Sequence, residues 1–312
     1  MSASEIERNK AVALRFKKSQ GTKDMPQVEK EVLAPSYNRI RGGNFHLATN
    51  AHDQGWPHPG MYLRTAFPDR VDVMERVVAE GDTVGLLFRL NATHEGNLFG
   101  IPPTKKKIDV YEIALLRIVN GQMVEGWFMM DEAELLRQLG ARLPKRKDGR
   151  IIPPPLPELG ESAETHLQRL SAKKPLSPLD AHKAILAGSR TATPATAGRT
   201  PDFARKREAF QHLHDWGNAR GAGTETLRSA LGNRRDPIDR FVSDGDEAWM
   251  RFYLHGTHDR KLYGMAPTGK RVGVPAVDLS RFAGGKWKDS WCFGDELGLL
   301  LQLGVPDLLH EK

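Results

Sequence analysis

The sequence predicts an α+β protein made of two tandem copies of one unit, each with helices first and a curved antiparallel sheet after them. Two observations predict it. The first is self-similarity at a fixed offset. Thr93-His94 returns as Thr257-His258, Gly100-Ile-Pro-Pro-Thr104 as Gly264-Met-Ala-Pro-Thr268, and Gln138-Leu-Gly140 as Gln302-Leu-Gly304, each 164 positions on. Arg117, Gly121, Trp127 and Asp131 recur at the same offset as Arg281, Gly285, Trp291 and Asp295, and Leu63-Arg64 recurs as Leu227-Arg228. A long match without insertion is the mark of a duplicated fold. The second observation is order: helical periodicity opens each copy and two-residue alternation closes it. The expected division is 1–141, a linker at 142–177 rich in proline and charge, and 178–312.

In the first copy, Glu5 to Lys18 reads as an amphipathic helix with a charged face ending in Lys17-Lys18. Ser4 and Glu7 offer a capping box. Gln27 to Leu33 reads as a short helix stopped at Ala34-Pro35. Gly42 to Gly60 reads as an irregular loop carrying His46, His52, Asp53, Trp56 and His58, found in this copy alone. Met61 to Phe67 closes a helix before Pro68. Val71 to Ala79, Thr83 to His94, Lys107 to Val119 and Gln122 to Asp131 read as strands, with a tight hairpin at Asn120-Gly121. Glu132 to Leu139 is a helix between an Asp131 N-cap and a Gly140 stop.

Glu161 to Lys173 reads as a helix inside the linker. Leu179 to Ala187 repeats the first helix, since Asn9-Lys-Ala-Val12 compares with His182-Lys-Ala-Ile185. Ser189 to Pro201 is low in complexity and expected to be mobile, and Phe203 to Arg220 is expected to be helical. From Leu227 the second copy runs in register with the first. Pro275 inside its third strand signals an edge or a bulge. A curved sheet with helices on one face leaves a hollow suited to a small molecule.

Bulk properties narrow the function. A chain of 312 residues has room for about two domains. The net charge of +7 does not amount to a nucleic-acid surface. Its basic runs, Lys105 to Lys107, Lys145 to Lys147 and Arg205 to Arg207, lack an accompanying stacking motif. No run of about 18 apolar residues predicts a membrane span. Met1 to Lys18 does not read as a signal peptide, so the cytoplasm is the expected location. The one cysteine, Cys292, excludes an intrachain disulfide and a cysteine zinc cluster. The spacing of His46, His52 and His58 fits no metal motif, so no metal is expected.

Gly256-Thr-His258 with Pro267-Thr-Gly-Lys270, then Trp291 and Asp295, then Gln302-Leu-Gly304, together with their first-copy counterparts, resemble the SnoaL-like polyketide cyclases of the nuclear-transport-factor-2-like superfamily. The resemblance covers about 5–140 and 178–304. It implies a cone-shaped, cystatin-like α+β barrel that dimerises through its sheet, and intramolecular aldol chemistry on a polyketide without metal or cofactor. It also implies an aspartate at the slot held here by Phe128, or Cys292 in the second copy. The family's pocket histidine falls at Ala114, or at Asp278. Neither copy keeps that pair.

Other residues must therefore carry the chemistry. Glu112 shares strand parity with Val110, Ala114 and Leu116. A carboxylate on such a stripe would have its pKa raised by desolvation, as suits a general base, although pairing with an arginine would occupy it equally well. Asp278 has the same two readings. His94 and His258 end an apolar strand face and suit either backbone bonding or acid–base work. His46 and His58, with Trp56, suit a lid over the pocket. Tyr37 can donate to a substrate carbonyl, and Phe88, Ala114, Phe128 and Met130 are expected to line the pocket. Cys292 reads as a buried, inert thiol.

The expected function is cofactor-free acid–base chemistry in the first copy, as cyclase, lyase or isomerase, on a hydrophobic aromatic or polyketide-like molecule. The alternative is a non-catalytic small-molecule binder. The two copies are expected to pair as a pseudo-dimer, with a homodimer of chains also open and the second copy as scaffold.

Overall fold

The computed structural model describes residues 2–51, 59–191, 193, 198–222 and 226–310. The chain divides into two units, Met1–Ile152 and Pro153–Lys312. The first runs α1 (Ala3–Lys18), α2 (Met25–Val32), β1 (Leu33–Arg41), α3 (Phe45–Ala51), α4 (Pro59–Ala66), β2 (Val71–Glu80), β3 (Thr83–Thr93), β4 (Lys107–Val119), β5 (Gln122–Met130) and α5 (Glu132–Leu139). Its sheet is ordered β1-β5-β4-β3-β2, antiparallel except for the parallel pair β1 and β5. The second runs α6 (Ala163–Ser171), α7 (Pro178–Gly188), β6 (Arg199–Arg207), α8 (Gln211–Asn218), α9 (Leu227–Ala230), β7 (Leu231–Arg235), β8 (Ile238–Asp244), β9 (Glu247–His258), β10 (Arg271–Ala283), β11 (Lys286–Gly294) and α10 (Glu296–Leu303). Its sheet is ordered β6-β11-β10-β9-β7, with β8 also on β9.

Alternation places the core where the sequence puts it. Val84, Leu86 and Phe88 on β3 and Ala114 and Leu116 on β4 pack with Ala13 and Phe16 of α1. Met250, Phe252 and Leu254 on β9 and Val274 and Ala276 on β10 pack with Leu186 of α7. Burial of such faces is what holds strands and helices together. Asn120 and Gly121 take φ of 51° and 77°, the two positive values that a tight hairpin with the right twist demands. Asp131 caps α5 by accepting from Glu134 N at 3.1 Å, and Asp295 caps α10 by accepting from Gly298 N at 3.0 Å. Both helices end in a left-handed glycine, Gly140 and Gly304.

Several local expectations are corrected. The capping box of α1 is Ser2 with Glu5, not Ser4 with Glu7. Both pairs have the right spacing, and the earlier one adds helical residues. Leu33 to Arg41, with Pro35 inside it, is a strand. It pairs in parallel with β5, where Leu33 lies opposite Met123, a partner far along the chain that local pattern cannot reveal. Its counterpart β6 likewise replaces the first part of the helix expected from Phe203. Asn38 lies opposite Glu125 and Ala204 opposite Asp289. The repeat thus extends into these strands with an offset of 166, from 38 to 204.

That shift also corrects the loop. His46 lies on a helix, α3, and has a counterpart, His212, on α8. The His46 and Leu47 N–H groups donate to Glu132, as those of His212 and Leu213 donate to Glu296. Pro275 sits in an interior strand with unbroken register against β9. Its neighbour Tyr253 turns its N–H to Pro237 O, at 2.9 Å. The missing proline N–H therefore points toward β11, where pairing starts only at Ala276 and no ladder bond is lost. Residues 192 and 194–197 of the expected mobile stretch lie outside the described residues.

Candidate active site

The first unit encloses a cavity of about 360 Å³ between α1, α2, β1 and the sheet. At its floor two cations and two carboxylates alternate. Lys17 Nζ is 2.8 Å from Asp72 Oδ2, and Arg70 reaches Asp72 through Nε at 2.8 Å and Nη2 at 3.1 Å. Arg70 Nη2 also lies 3.6 Å from Glu112 Oε2. All four side chains are nearly or fully buried. Lys17 Nζ sits 3.7 Å from the centre of the Phe88 ring, a cation–π contact that supports a buried ammonium. Burial pulls the Lys17 ammonium below its ordinary value, with Asp72 and Glu112 opposing. Burial alone would raise Asp72, but Lys17 and Arg70 outweigh it and hold the carboxyl low.

Two glycines shape the walls. A Cβ at Gly43 would lie 1.8 Å from Glu112 Oε1, so only glycine lets the carboxylate rest on that backbone. A Cβ at Gly126 would lie 2.2 Å from the Tyr37 hydroxyl. Tyr37 is thereby seated with its oxygen buried, near Arg39 but with no acceptor among the described residues. Burial raises its pKa, partly offset by Arg39. Such a phenol is a competent donor with no acceptor among the described residues.

The other candidates are spread more widely. Phe128 lines the cavity beneath Arg39, whose guanidinium carbon is 4.9 Å from its ring centre. Phe88, Ala114 and Met130 are buried behind the lining residues. Ala114 and Phe128 face each other across β4 and β5, and Asp278 faces Cys292 across β10 and β11. His94 is not a lining residue. Its Nδ1 accepts from Thr104 N at 3.1 Å and lies 3.1 Å from Thr104 Oγ1, closing the β3–β4 loop. His258 does the same with Thr268. His46 is buried in α3, away from the lining. His58 and Trp56 lie outside the described residues.

Sequence reasoning missed Lys17, Arg70 and Asp72. Lys17 was assigned to a solvated helix face, yet its side chain is 3% exposed. A usable signal existed: Arg70-x-Asp72 recurs as Arg234-x-Asp236, 164 positions on.

The second unit has an equivalent cavity of about 340 Å³. Arg190 takes the place of Lys17, lying 3.9 Å over the Phe252 ring and 3.6 Å from Asp236. Arg234 grips Asp236 at 2.9 and 2.8 Å. The second carboxylate differs. Asp278 stands at the position of Ala114, and Ala276 at that of Glu112. Asp278 accepts from Arg190 Nη2 at 2.9 Å and Ser280 Oγ at 2.9 Å, with Arg205 3.8 Å away. Burial, followed by Asp278, pushes the neighbouring Cys292 thiol up to about 12.

The sequence profile of the SnoaL-like polyketide cyclases matches residues 61–139 and 218–303. The chain belongs to that family. Nogalonic acid methyl ester cyclase of Streptomyces nogalater is 32% identical over 101 residues, 32% of this chain and 67% of the relative. Aklanonic acid methyl ester cyclase of a Streptomyces species is 33% identical over 95 residues, 30% of this chain and 59% of the relative. A Jannaschia protein described as SnoaL-like superposes with a TM-score of 0.38 at 24% identity, over 45% of this chain and 98% of its own. A nuclear-transport-factor-2-like protein of unknown function from Burkholderia pseudomallei gives 0.34 at 16%, over 45% and 100%. No helix among the described residues is long and apolar enough to cross a membrane.

Proposed function

We propose that the first copy of this SnoaL-like protein performs general acid–base chemistry, without a cofactor, on a hydrophobic aromatic or polyketide-like ketone. The reaction is an aldol or retro-aldol step, as cyclase or lyase, or an isomerisation through the same enolate. Glu112 is the base: it removes a proton from the carbon beside a carbonyl. The Tyr37 hydroxyl donates to the carbonyl oxygen, and Arg70 and Lys17 offset the charge that develops. One observation carries this reading. A buried carboxylate with a guanidinium at 3.6 Å and no hydrogen-bond donor among the described residues shares a cavity with a phenol that has no acceptor among them.

The relatives support the substrate class, since both are named as cyclases of acid methyl esters. The setting is cytoplasmic, with no nucleic-acid or membrane partner. A pseudo-dimer of the two copies is part of this proposal, on the family resemblance alone. Apolar residues at both parities of β3, such as Leu86 and Leu87, support a covering layer on each sheet face. Two such chains could associate in turn.

The test is turnover of aklanonic and nogalonic acid methyl esters by the full chain. Glu112→Gln is expected to lower turnover about 100-fold or more while ligand still binds. An unchanged rate removes Glu112 as base. A specific observation favours the alternative of a non-catalytic binder: apolar Ala114 and Phe128 fill the two positions where the family places its catalytic pair. Ligand binding with no turnover by the parent chain would establish that alternative.

A further inference from the structure

The second copy's cavity carries more positive charge than its own ion pairs neutralise. Five arginines line it, Arg190, Arg199, Arg205, Arg228 and Arg234, against one lining carboxylate, Glu208. Asp236 and Asp278 behind the lining engage Arg190, Arg205 and Arg234. Arg199 and Arg228 have no carboxylate within 4.0 Å among the described residues.

The first copy shows how each excess charge arose. Arg64, the counterpart of Arg228, is paired with Glu29 of α2 at 3.2 Å. No α2 helix precedes β6 among the described residues of the second copy, so that carboxylate is lost. Leu33, on the first cavity's wall, is replaced by Arg199 under the 166 offset of these strands. Arg199 is braced against aromatic rings, 4.4 Å from the centre of Phe203 and 5.1 Å from that of Trp287. Its Nε is buried without a partner, as is that of Arg190, whose side chain is only 10% exposed. Phe210, Phe252 and Leu254 give the wall an apolar patch, beside the polar side chains of Ser189, His214 and Thr226. A second cavity of about 630 Å³ shares Arg190, Arg228 and Arg234 with it and adds Arg235 together with the carboxylates Glu164 and Asp236. Guanidinium groups in want of an anion, over aromatic walls, are the recognition chemistry of a carboxylate on a flat apolar body.

We infer that the second copy is a binding site for an aromatic carboxylic acid, whose carboxylate is taken by Arg199 and Arg228 and whose ring system lies against Phe210 and Phe252. The site is independent of the acid–base chemistry proposed for the first copy. Crowding agrees with this: burial and neighbouring arginines pull both Arg199 and Arg228 below the ordinary guanidinium value, with only partial opposition from Asp278 and Asp236. A bound anion would relieve that repulsion.

Calorimetric titration of the full chain with 1-naphthoate, its neutral analogue 1-naphthamide and inorganic phosphate tests the inference. One naphthoate per chain is expected. Affinity should fall at least about ten-fold in Arg199→Gln and in Arg228→Gln, and stay unchanged in Lys206→Gln, a charge loss at an exposed site on the same strand. Thermal melts report whether each variant folds. If Arg199→Gln does not, Arg199→Lys keeps the charge and should bind several-fold more weakly. Glu112→Gln should leave naphthoate binding intact, which separates this site from the first. Absence of binding, equal binding of the amide, full competition by equimolar phosphate, or binding that survives both substitutions would overturn the proposal.

Discussion

The two cavities are built from the same parts with one carboxylate moved by two positions along the same strand face. In the first copy it is Glu112, resting on the Gly43 backbone with Arg70 at 3.6 Å. In the second it is Asp278, bonded by Arg190 and Ser280 and faced by Arg205. Around them the frame is constant: an Arg-x-Asp pair, a cation at the end of α1 or just beyond the end of α7, and an aromatic ring beneath that cation. The difference teaches what distinguishes a base from an anchor. A carboxylate saturated by donors holds the structure. One that is buried beside charge but short of donors keeps lone pairs for a substrate proton.

The largest effects should come from breaking this contrast. Glu112→Gln removes the base and leaves the fold, whereas Asp278→Asn should leave turnover intact and cost stability. Uncoupling Arg190, whose side chain is 10% exposed, from the buried Asp278 position is expected to cost about 3 kcal/mol, read as a fall in the denaturant midpoint. The swap Glu112→Ala with Ala114→Asp gives the first copy the second copy's pattern. It should fold, because the charge is kept, and turn over no better than Glu112→Gln. A swap that retained turnover would show that the carboxylate's place on the strand is immaterial.

How much of this was legible follows from where each residue finds its partner. β2 to β5 and their terminal helix were readable because alternation, the Asn120-Gly121 turn and the Asp131 cap are local signals. The strands β1 and β6 were not, because each pairs in parallel with a partner far along the chain. Glu112 could be singled out as a carboxylate on an apolar stripe. Lys17 could not, since a lysine at a helix end reads as solvated until Asp72, from β2, is brought beneath it. His94 ended an apolar face, but only the fold shows that its partner is the Thr104 backbone.

A smaller effect should appear at the feature the copies share. Burial alone would raise Asp72 and Asp236; opposing cations, Lys17 and Arg70 for one, Arg234 and Arg190 for the other, hold both below the usual range. A depressed folded pKa contributes stability that is whole above the unfolded value, near 3.9, and is lost as pH falls through the folded value. Asp72→Asn and Asp236→Asn should each cost about 3 kcal/mol at pH 7 and flatten the decline below about pH 5, measured by urea unfolding across pH. Only Asp72→Asn should also slow turnover, because Lys17 and Arg70 would then close on Glu112.

The smallest effect should fall on the histidines, and it tests the symmetry most directly. Burial lowers the pKa of both His94 and His258, with weaker opposition from backbone bonds and neighbouring acids. The folded state therefore favours the neutral ring that accepts from Thr104 or Thr268. That contribution is whole above the unfolded value, near 6.5, and fades as pH falls below it. Replacing either with Phe removes one accepted bond and should cost about 1 kcal/mol at pH 7. The double variant should show a shallower drop in melting temperature between pH 7 and 5. Turnover should not separate the two positions, since each ring closes a loop in its own copy. A loss confined to His94→Phe would make that histidine part of the chemistry and place the functional asymmetry at the loop as well as at the carboxylate.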